Sequence, residues 1–524
     1  MDGTGSPWYR ADVYVEDGLI KRVGRLGDIS AEVVIDATDR VVSPGFIDSH
    51  THSDITCILL NKADGHLVQG VTTEIAGMCG NTPAPVLPET RNLHDEYTYG
   101  SLVAQQHKNL LASWSSTAEW MTLINHLGLS NDMAVFVGHG CIRTAVMGFD
   151  PSKPTPGQLE QMKGLLRQSM SAGALGMSSG LIYPPGCFAD TEELIELCTV
   201  VAEYGGMYCV HLRSEGDGLV EAVKETIQIG RQAGCPVHIS HHKVCGIPNY
   251  GRVVSSLALM EQARLGGIDV TCDAYPYVAS ETALSSLLPP WVHNGGELQL
   301  KDALHDISKR SRIKVELTQS SSGWENLLKD CSYDSIVITS TAQKAYEGRT
   351  IAALAAEHGC DPADFLMDAV ADEGSGIRCI HFVSSEQDNS YVLKHRLTMI
   401  GSDSLNAPTF YTDELGVLHP RAFGTFPRIL GKLCRENAVL TMEEAVHKMT
   451  GFPATRFGLY DRGIIRTGMI ADLVIFDEQR IRDRATYRDP FQPPEGIDYV
   501  IKNGEVVVKS NLYNGKTLGR VISR

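Results

Sequence analysis

The sequence predicts an α/β protein built on a (β/α)₈ (TIM) barrel, with a small β-sandwich domain formed from both termini and an inserted subdomain at the barrel mouth. The first observation is a series of eight short apolar runs that alternate with longer helical stretches, as buried parallel strands and their covering helices do. The second is the β-rich patterning of both chain ends. The third is a histidine, cysteine or aspartate that directly follows several of the runs.

The eight apolar runs supply the number of strands that a closed parallel barrel requires. Helical patterning between them covers residues 155–171, 191–204 and 218–233. The gap between the seventh and eighth runs is the longest, which predicts an insertion at about 285–350 within a barrel domain of residues 41–454. The runs, in chain order, are 41–47, 72–76, 134–137, 174–177, 207–210, 237–239, 268–272 and 397–400.

The two ends of the chain have the pattern of short strands joined by turns. Apolar residues alternate with polar ones around Val13 and Val15, and two apolar runs near the other end flank Asn503-Gly504. An Asn-Gly pair between apolar runs is a strong signal for a β-hairpin. Residues 1–40 and 455–524 are therefore predicted to form one small β domain.

Composition limits the classes of function. The chain has 524 residues, 43% hydrophobic and 21% charged, with no apolar stretch long enough to cross a membrane and no export signal at its start. The formal net charge of -17 argues against a nucleic-acid surface, which needs clustered lysine and arginine. The 13 cysteines show no paired CxxC spacing, as expected for reduced thiols of a cytoplasmic enzyme. A small-molecule substrate is the expected partner, and a homo-oligomer is left open.

Metal-binding side chains follow four of the predicted strands. His50 and His52 come after the first run, His211 after the fifth, His241 after the sixth and Asp403 after the eighth. Residues two apart on a strand point the same way, and barrel enzymes keep their sites at the carboxyl ends of their strands. An HxH pair alone is more often two hydrogen-bonded histidines, but four such strand ends together favour a metal site.

Cys79 follows the second apolar run and lies at the same predicted height as the histidines. Considered alone, it would be an ordinary buried thiol. Beside several imidazoles it has a second interpretation, because thiolate and imidazole are the ligands that zinc prefers in proteins. The position therefore predicts either a core residue or a zinc ligand.

The strand-end residues resemble those of the amidohydrolase superfamily, in which histidines follow strands 1, 5 and 6 and an aspartate follows strand 8. Within it, the chain is similar to the D-aminoacylase (N-acyl-D-amino-acid deacylase) branch, where a cysteine is the shared metal ligand. The resemblance covers essentially the whole chain. The stretches that carry it are GMCGNTPAP, VGHGCIR, GALGMSSGLIYPPG, HLRSE, ISHHK, DAYPY, GSDS and HPRAFGTFPR.

This resemblance implies zinc-dependent hydrolysis of the amide bond of N-acyl-D-amino acids, which releases a carboxylate and a free D-amino acid. Asp403 would be the catalytic general base and acid. The implied metal ligands are Cys79, His211 and His241 for one tightly bound zinc ion, and His50, His52 and Asp403 around a second, weaker position.

The same resemblance implies a group of residues that would bind the substrate. The amino-acid carboxylate calls for a cation, best supplied by a bidentate arginine. For Arg213 an ion pair with Glu215 or another carboxylate is an equally good interpretation. The implied substrate-binding residues are Lys243, Tyr275, Arg421, Arg213 and Tyr183.

Two alternatives remain beside this interpretation. A cyclic-amide hydrolase of the dihydroorotase or hydantoinase type would share the barrel, but those enzymes generally have a lysine or another ligand in place of Cys79. A catalytically inactive barrel that acts as a binding or scaffold protein would be expected to have lost metal ligands, whereas all six positions are filled here.

Overall fold

The computed structural model describes residues 1–27, 29–319, 323–329, 331–412 and 415–523. Eight parallel strands form the predicted barrel, and we number them β1 to β8. No helix in these ranges has the length and apolar character needed to cross a lipid bilayer. The strands are β1 (Phe46–Asp48), β2 (Val71–Ala76), β3 (Asp132–Val135, continued by Val137–Gly138), β4 (Gly176–Gly180), β5 (Met207–His211), β6 (Val237–Ile239), β7 (Val270–Ala274) and β8 (Thr398–Ile400).

The barrel closes where β8 meets β1. Hydrogen bonds join the barrel strands into two groups. The first part of β3 pairs in the order β1-β2-β3, and its continuation pairs in the order β3-β4-β5-β6-β7-β8. The N–H of Ser49 donates to the carbonyl of Ile400 at 3.2 Å, and Thr51 forms a parallel bridge with Ser404. These contacts join both ends of the sheet, so the predicted (β/α)₈ barrel is confirmed.

Helices cover the outside of the barrel. The predicted stretches 155–171, 191–204 and 218–233 are helices at Pro156–Ser171, Thr191–Glu203 and Leu219–Ala233. The remaining helices around the barrel are Ser53–Thr56, Arg91–Tyr99, Ser101–Gln106, Lys108–Leu111, Thr117–Leu127, His139–Met147, Val253–Leu265, Glu386–Lys394, Arg421–Arg428, Met442–Met449 and Gly451–Phe457, with a π-helix at Ile429–Glu436.

The first predicted strand, 41–47, is divided between two sheets. Val41–Pro44 pairs antiparallel with Leu473–Phe476 in the terminal domain, and only Phe46–Asp48 belongs to the barrel. The hydrogen bonding changes sheet at Gly45, whose N–H donates to Asp472, whereas the next N–H donates to Gly70. A Cβ on Gly45 would lie 2.2 Å from Thr72, so only glycine fits this crossing. Residues 41–47 were predicted as one strand, although Ser43-Pro44-Gly45 interrupts the apolar run at this point.

The terminal domain consists of two sheets around a shared apolar core. Asp12–Glu16 and Leu19–Gly24 form a hairpin, and its Ile20 is buried against Leu473, Ile475 and Ile501. The Asn503-Gly504 turn joins two antiparallel strands, as predicted. The larger sheet has the order Leu512–Tyr513, Glu505–Lys509, Ile497–Lys502, Leu473–Phe476 and Val41–Pro44. Val521–Ile522 leaves this domain and pairs with β3.

The segment between β7 and β8 contains a sheet whose strands extend beyond the predicted insertion at about 285–350. Its three-stranded antiparallel sheet has Arg378–Phe382 between Ala279–Ala283 and Ile336–Ser340. The sheet therefore begins just after β7, at Ala279, and its central strand Arg378–Phe382 is the one that ends close to β8. The pairing of strands about a hundred residues apart leaves no local sequence signal. The helices of the insertion are Glu297–His305, Ile307–Thr318, Ile351–His358 and Pro362–Glu373.

Candidate metal centre and active site

The six predicted metal-binding side chains meet at the carboxyl end of the barrel. Five strands position them: β1, β2, β5, β6 and β8 each end at or just before one of these residues. Four of the residues, His50, Cys79, His241 and Asp403, are buried and have donor atoms that all lie within 4.8 Å of one another. Such convergence of nitrogen, sulfur and oxygen donors from distant parts of the chain suits a cation.

Cys79 lies at the centre of the cluster. Its Sγ is 3.4 Å from His241 Nε2, 3.5 Å from His50 Nε2 and 3.9 Å from His211 Nδ1. Ligands around a tetrahedral zinc ion are about 3.4–3.6 Å apart, given the usual Zn–S and Zn–N bond lengths. Burial raises the pKa of Cys79, but the neighbouring imidazoles outweigh it and hold the pKa well below the usual value. The residues present therefore fit a zinc ion.

Asp403 connects the cluster to Arg421. One carboxylate oxygen lies 3.2 Å from His52 Nε2 and 3.4 Å from His50 Nε2. The other accepts a hydrogen bond from the Arg421 guanidinium at 2.8 Å. Burial raises the pKa of Asp403, yet the charge of Arg421 and the histidines hold it well below the ordinary range. The carboxylate is therefore ionised at neutral pH.

Three residues of the cluster have left-handed backbone conformations. The φ angles are 55° at Cys79, 34° at His241 and 53° at Asp403. Residues other than glycine rarely adopt this region, and such strain is concentrated at functional sites because surrounding contacts must maintain it. The turns at the ends of three strands are therefore shaped to aim these side chains inward.

Asp273, at the end region of β7, was not predicted as a functional residue. Its carboxylate accepts the backbone N–H of His241 at 2.8 Å and lies 3.3 Å from His50 Nδ1 and 2.7 Å from His238 Nε2. The side chain is fully buried. It therefore orients the His50 ring and the backbone of His241, as carboxylates beside metal-binding histidines do. An acidic residue at the end of a barrel strand was the signal available in the sequence.

Glu215 is the second carboxylate that the sequence interpretation missed. Its Oε1 lies 2.8 Å from Lys243 Nζ and 3.0 Å from His241 Nδ1. Burial raises the pKa of Glu215, but the charges of Lys243, His211 and His241 hold it well below the ordinary value. Glu215, His211 and His241 form a second group of closely spaced donors. Glu215 therefore contacts His241 closely, whereas His211 Nε2 lies 3.9 Å from its other oxygen.

Replacing Asp273 by asparagine is expected to weaken zinc binding about 10- to 100-fold, because the amide cannot accept hydrogen bonds from all three donors. Competition for zinc with a chromophoric chelator measures the change. Asp269→Asn is the matched control, because Asp269 precedes the same strand and pairs instead with Arg264 and Arg456. Equal zinc affinity in the Asp273 variant and the wild type would contradict the orienting role.

Four of the five predicted substrate-binding residues surround the cluster. The ring of Tyr275 is close to two cations, with Arg421 Cζ 4.9 Å and Lys243 Nζ 5.6 Å from its centroid. The Tyr183 ring is 5.0 Å from the His211 ring, and its hydroxyl accepts a hydrogen bond from Thr282 at 3.2 Å. This arrangement places positive charge and phenol groups beside the candidate metal position.

Arg213 differs from the other four. Its guanidinium donates to Glu225 at 3.0 Å and to the carbonyls of Cys187 and Ala189. Arg213 therefore forms an ion pair with a carboxylate, which was the alternative to substrate binding. Its partner is Glu225 and not Glu215. A cavity of about 550 Å³ beside Arg213 is lined by none of the six predicted ligands. The candidate site is therefore located by the short distances between the metal-binding side chains, and it does not coincide with this cavity.

Comparisons with known proteins agree with this geometry. The profile of the amidohydrolase family matches residues 33–283 and 393–508. The chain is 35% identical to a D-aminoacylase of Alcaligenes xylosoxydans xylosoxydans, covering 100% of this chain and 96% of that protein. It is 33% identical to an N-acyl-D-glutamate deacylase of the same organism, covering 96% and 91%.

A solved structure shows the same likeness in three dimensions. N-acyl-D-glutamate deacylase from Bordetella bronchiseptica, complexed with zinc and a phosphonate inhibitor, is 32% identical to this chain. The match has a TM-score of 0.82 and covers 100% of this chain and 97% of that one. The barrel, the strand-end cluster and these likenesses lead to one conclusion: the chain belongs to the amidohydrolase family, in the branch that contains D-aminoacylase.

Proposed function

We propose that this protein hydrolyses the amide bond of N-acyl-D-amino acids with the aid of zinc, releasing a carboxylate and a free D-amino acid. The observation that carries the proposal is the meeting of Cys79, three imidazoles and Asp403 at the barrel mouth, directly beside Arg421. The relatives that are named as D-aminoacylase and N-acyl-D-glutamate deacylase support the choice of linear amides and of D stereochemistry.

The residues proposed to hold the tightly bound zinc ion are Cys79, His211 and His241. A second, weaker position would involve His50, His52 and Asp403. When bound, zinc supplies a Lewis acid that acidifies water and polarises a carbonyl group. His50 Nε2 lies 3.5 Å from Cys79 Sγ, so the residues that would hold the second ion adjoin those that would hold the first.

Asp403 is proposed to transfer the protons of the reaction. Its carboxylate is buried and ionised, so it can accept a proton from the attacking water. The same group then donates that proton to the nitrogen of the departing amine, since one carboxylate can serve as base and as acid in turn. The hydrogen bond from Arg421 holds the carboxylate in place through both steps.

Arg421, Lys243 and Tyr275 are proposed to bind the amino-acid carboxylate. Arg421 uses one of its terminal nitrogens on Asp403, while its Nε is buried with no partner among the described residues. A guanidinium can donate to two carboxylates at once, so substrate binding does not require loss of the Asp403 contact. The ring of Tyr275 contacts both cations, and its hydroxyl lies 2.9 Å from that of Ser280.

Steady-state rates on N-acetyl-D-methionine, N-acetyl-L-methionine and a hydantoin test this function, together with elemental analysis. The expected result is turnover of the D enantiomer with about one zinc ion per chain. Preference for the L enantiomer would overturn the stereochemical assignment. Preference for the hydantoin would favour the cyclic-amide alternative, and zinc-loaded protein that acts on none of the three would favour a scaffold role.

A further inference from the structure

A buried histidine of the insertion, His381, has no role in the chemistry described above. It lies in the central strand Arg378–Phe382 of the inserted sheet and is only 3% exposed. No hydrogen bond joins its imidazole to any residue that the structure describes, and its Nδ1 is fully buried without a partner. A buried polar group without a partner is costly, so its retention calls for an explanation.

The register of the inserted sheet shows which way His381 faces. Ser280 is its direct antiparallel partner, so the two side chains lie on the same face with Cβ atoms about 5 Å apart. The hydroxyl of Ser280 is 2.9 Å from that of Tyr275. Tyr275 in turn lies beneath Arg421 and Lys243. His381 therefore faces the same space as the groups proposed to bind the substrate carboxylate.

The surroundings keep this imidazole neutral. Burial and the charge of Lys243 together lower the pKa of His381 to about 4, and Glu215 only partly opposes them. A neutral imidazole has one N–H donor and one acceptor nitrogen. Because Arg421 and Lys243 suffice for the α-carboxylate, the donor on His381 is available for another part of the same ligand.

We propose that His381 recognises the substrate side chain and selects N-acyl-D-amino acids whose side chain ends in an oxygen acceptor, either a carboxamide or a carboxylate. This inference rests on the proposed function. An apolar side chain would displace water from the imidazole and leave the N–H unpaired. A site built to hydrogen-bond a substrate rejects an analogue that cannot form the bond.

Values of kcat/KM on N-acetyl-D-glutamine, N-acetyl-D-glutamate and N-acetyl-D-methionine test the proposal, because the three side chains have similar length. The wild type is expected to prefer glutamine or glutamate over methionine by at least about tenfold. In His381→Phe this preference is expected to disappear, because the loss on glutamine and glutamate exceeds any change on methionine. The ranking of glutamine against glutamate distinguishes a carboxamide from a carboxylate as the preferred acceptor.

Two further variants separate recognition from stability. His381→Gln keeps a donor and an acceptor and is expected to retain part of the preference. His293→Phe changes another histidine of the insertion, whose Nε2 lies 3.1 Å from the carbonyl of Ser285, and is expected to leave the ratios unchanged.

An equal loss on all three substrates in His381→Phe, or an unaltered ratio, would overturn the inference. A wild type that prefers methionine would overturn it as well. Absence of turnover on every N-acyl-D-amino acid would instead count against the proposed function.

Discussion

Asp403→Ala is expected to lower kcat by about 10²- to 10⁴-fold while the protein keeps its zinc, because the variant removes the proton-transfer group and none of the three proposed tight ligands. The carboxylate is buried, ionised and 3.2–3.4 Å from two imidazoles of the cluster. Initial rates together with elemental analysis of the same preparation measure both quantities. Asp403→Asn should behave similarly, since an amide cannot accept the proton.

Asp483→Ala is the matched control for this prediction. Asp483 pairs with Arg428 at 2.9 Å, much as Asp403 pairs with Arg421 at 2.8 Å, but it is not among the donors of the cluster. The control is expected to lose stability and to retain kcat within a few-fold. If Asp403→Ala turned over substrate at the wild-type rate with zinc present, the proposed acid–base role would be wrong.

Cys79→Ala is expected to abolish tight zinc binding and to lower activity at least about 10³-fold. The thiolate contributes the negative charge of the proposed tight site, and the two imidazoles that remain are neutral ligands. Its Sγ also lies within 3.9 Å of three imidazole nitrogens. Zinc content after dialysis, followed by activity with added zinc, measures the loss.

Cys209→Ala supplies the comparison for Cys79. Cys209 is equally buried and lies in β5, two residues before His211, where it packs in the apolar core. This variant should keep its zinc and lose only about 1 kcal/mol of stability from the missing buried atom. A Cys79→Ala protein that still carried about one tightly bound zinc ion per chain would refute the proposed ligand set.

The barrel and the location of the cluster follow from local patterns in the sequence. Residues such as His211 and Asp403 directly follow buried strands, and parallel strands bring their carboxyl ends to one side. Arg213 shows the limit of this reasoning, because a charge at the same height can turn to a partner such as Glu225. Side-chain direction depends on packing that the position in a strand does not determine.

The parts that could not be predicted depend on contacts between distant residues. Asp273 and Glu215 are recognisable only when the imidazoles that they orient are placed beside them. The width of the insertion depends on pairing between Ala279–Ala283 and Arg378–Phe382, which are almost a hundred residues apart. The hydrophobic periodicity of a segment indicates which of its residues are buried, but it does not indicate which distant segment packs against them.

The pairing of Val521–Ile522 with β3 has a consequence for the order in which the barrel can be completed during synthesis. The N–H of Arg520 donates to Asp132, a residue 388 positions earlier. On the ribosome, β3 therefore emerges long before the segment that covers its free edge. Until then the nascent chain exposes backbone groups that could pair with another molecule. An isolated barrel fragment that ends near residue 454 is accordingly expected to aggregate.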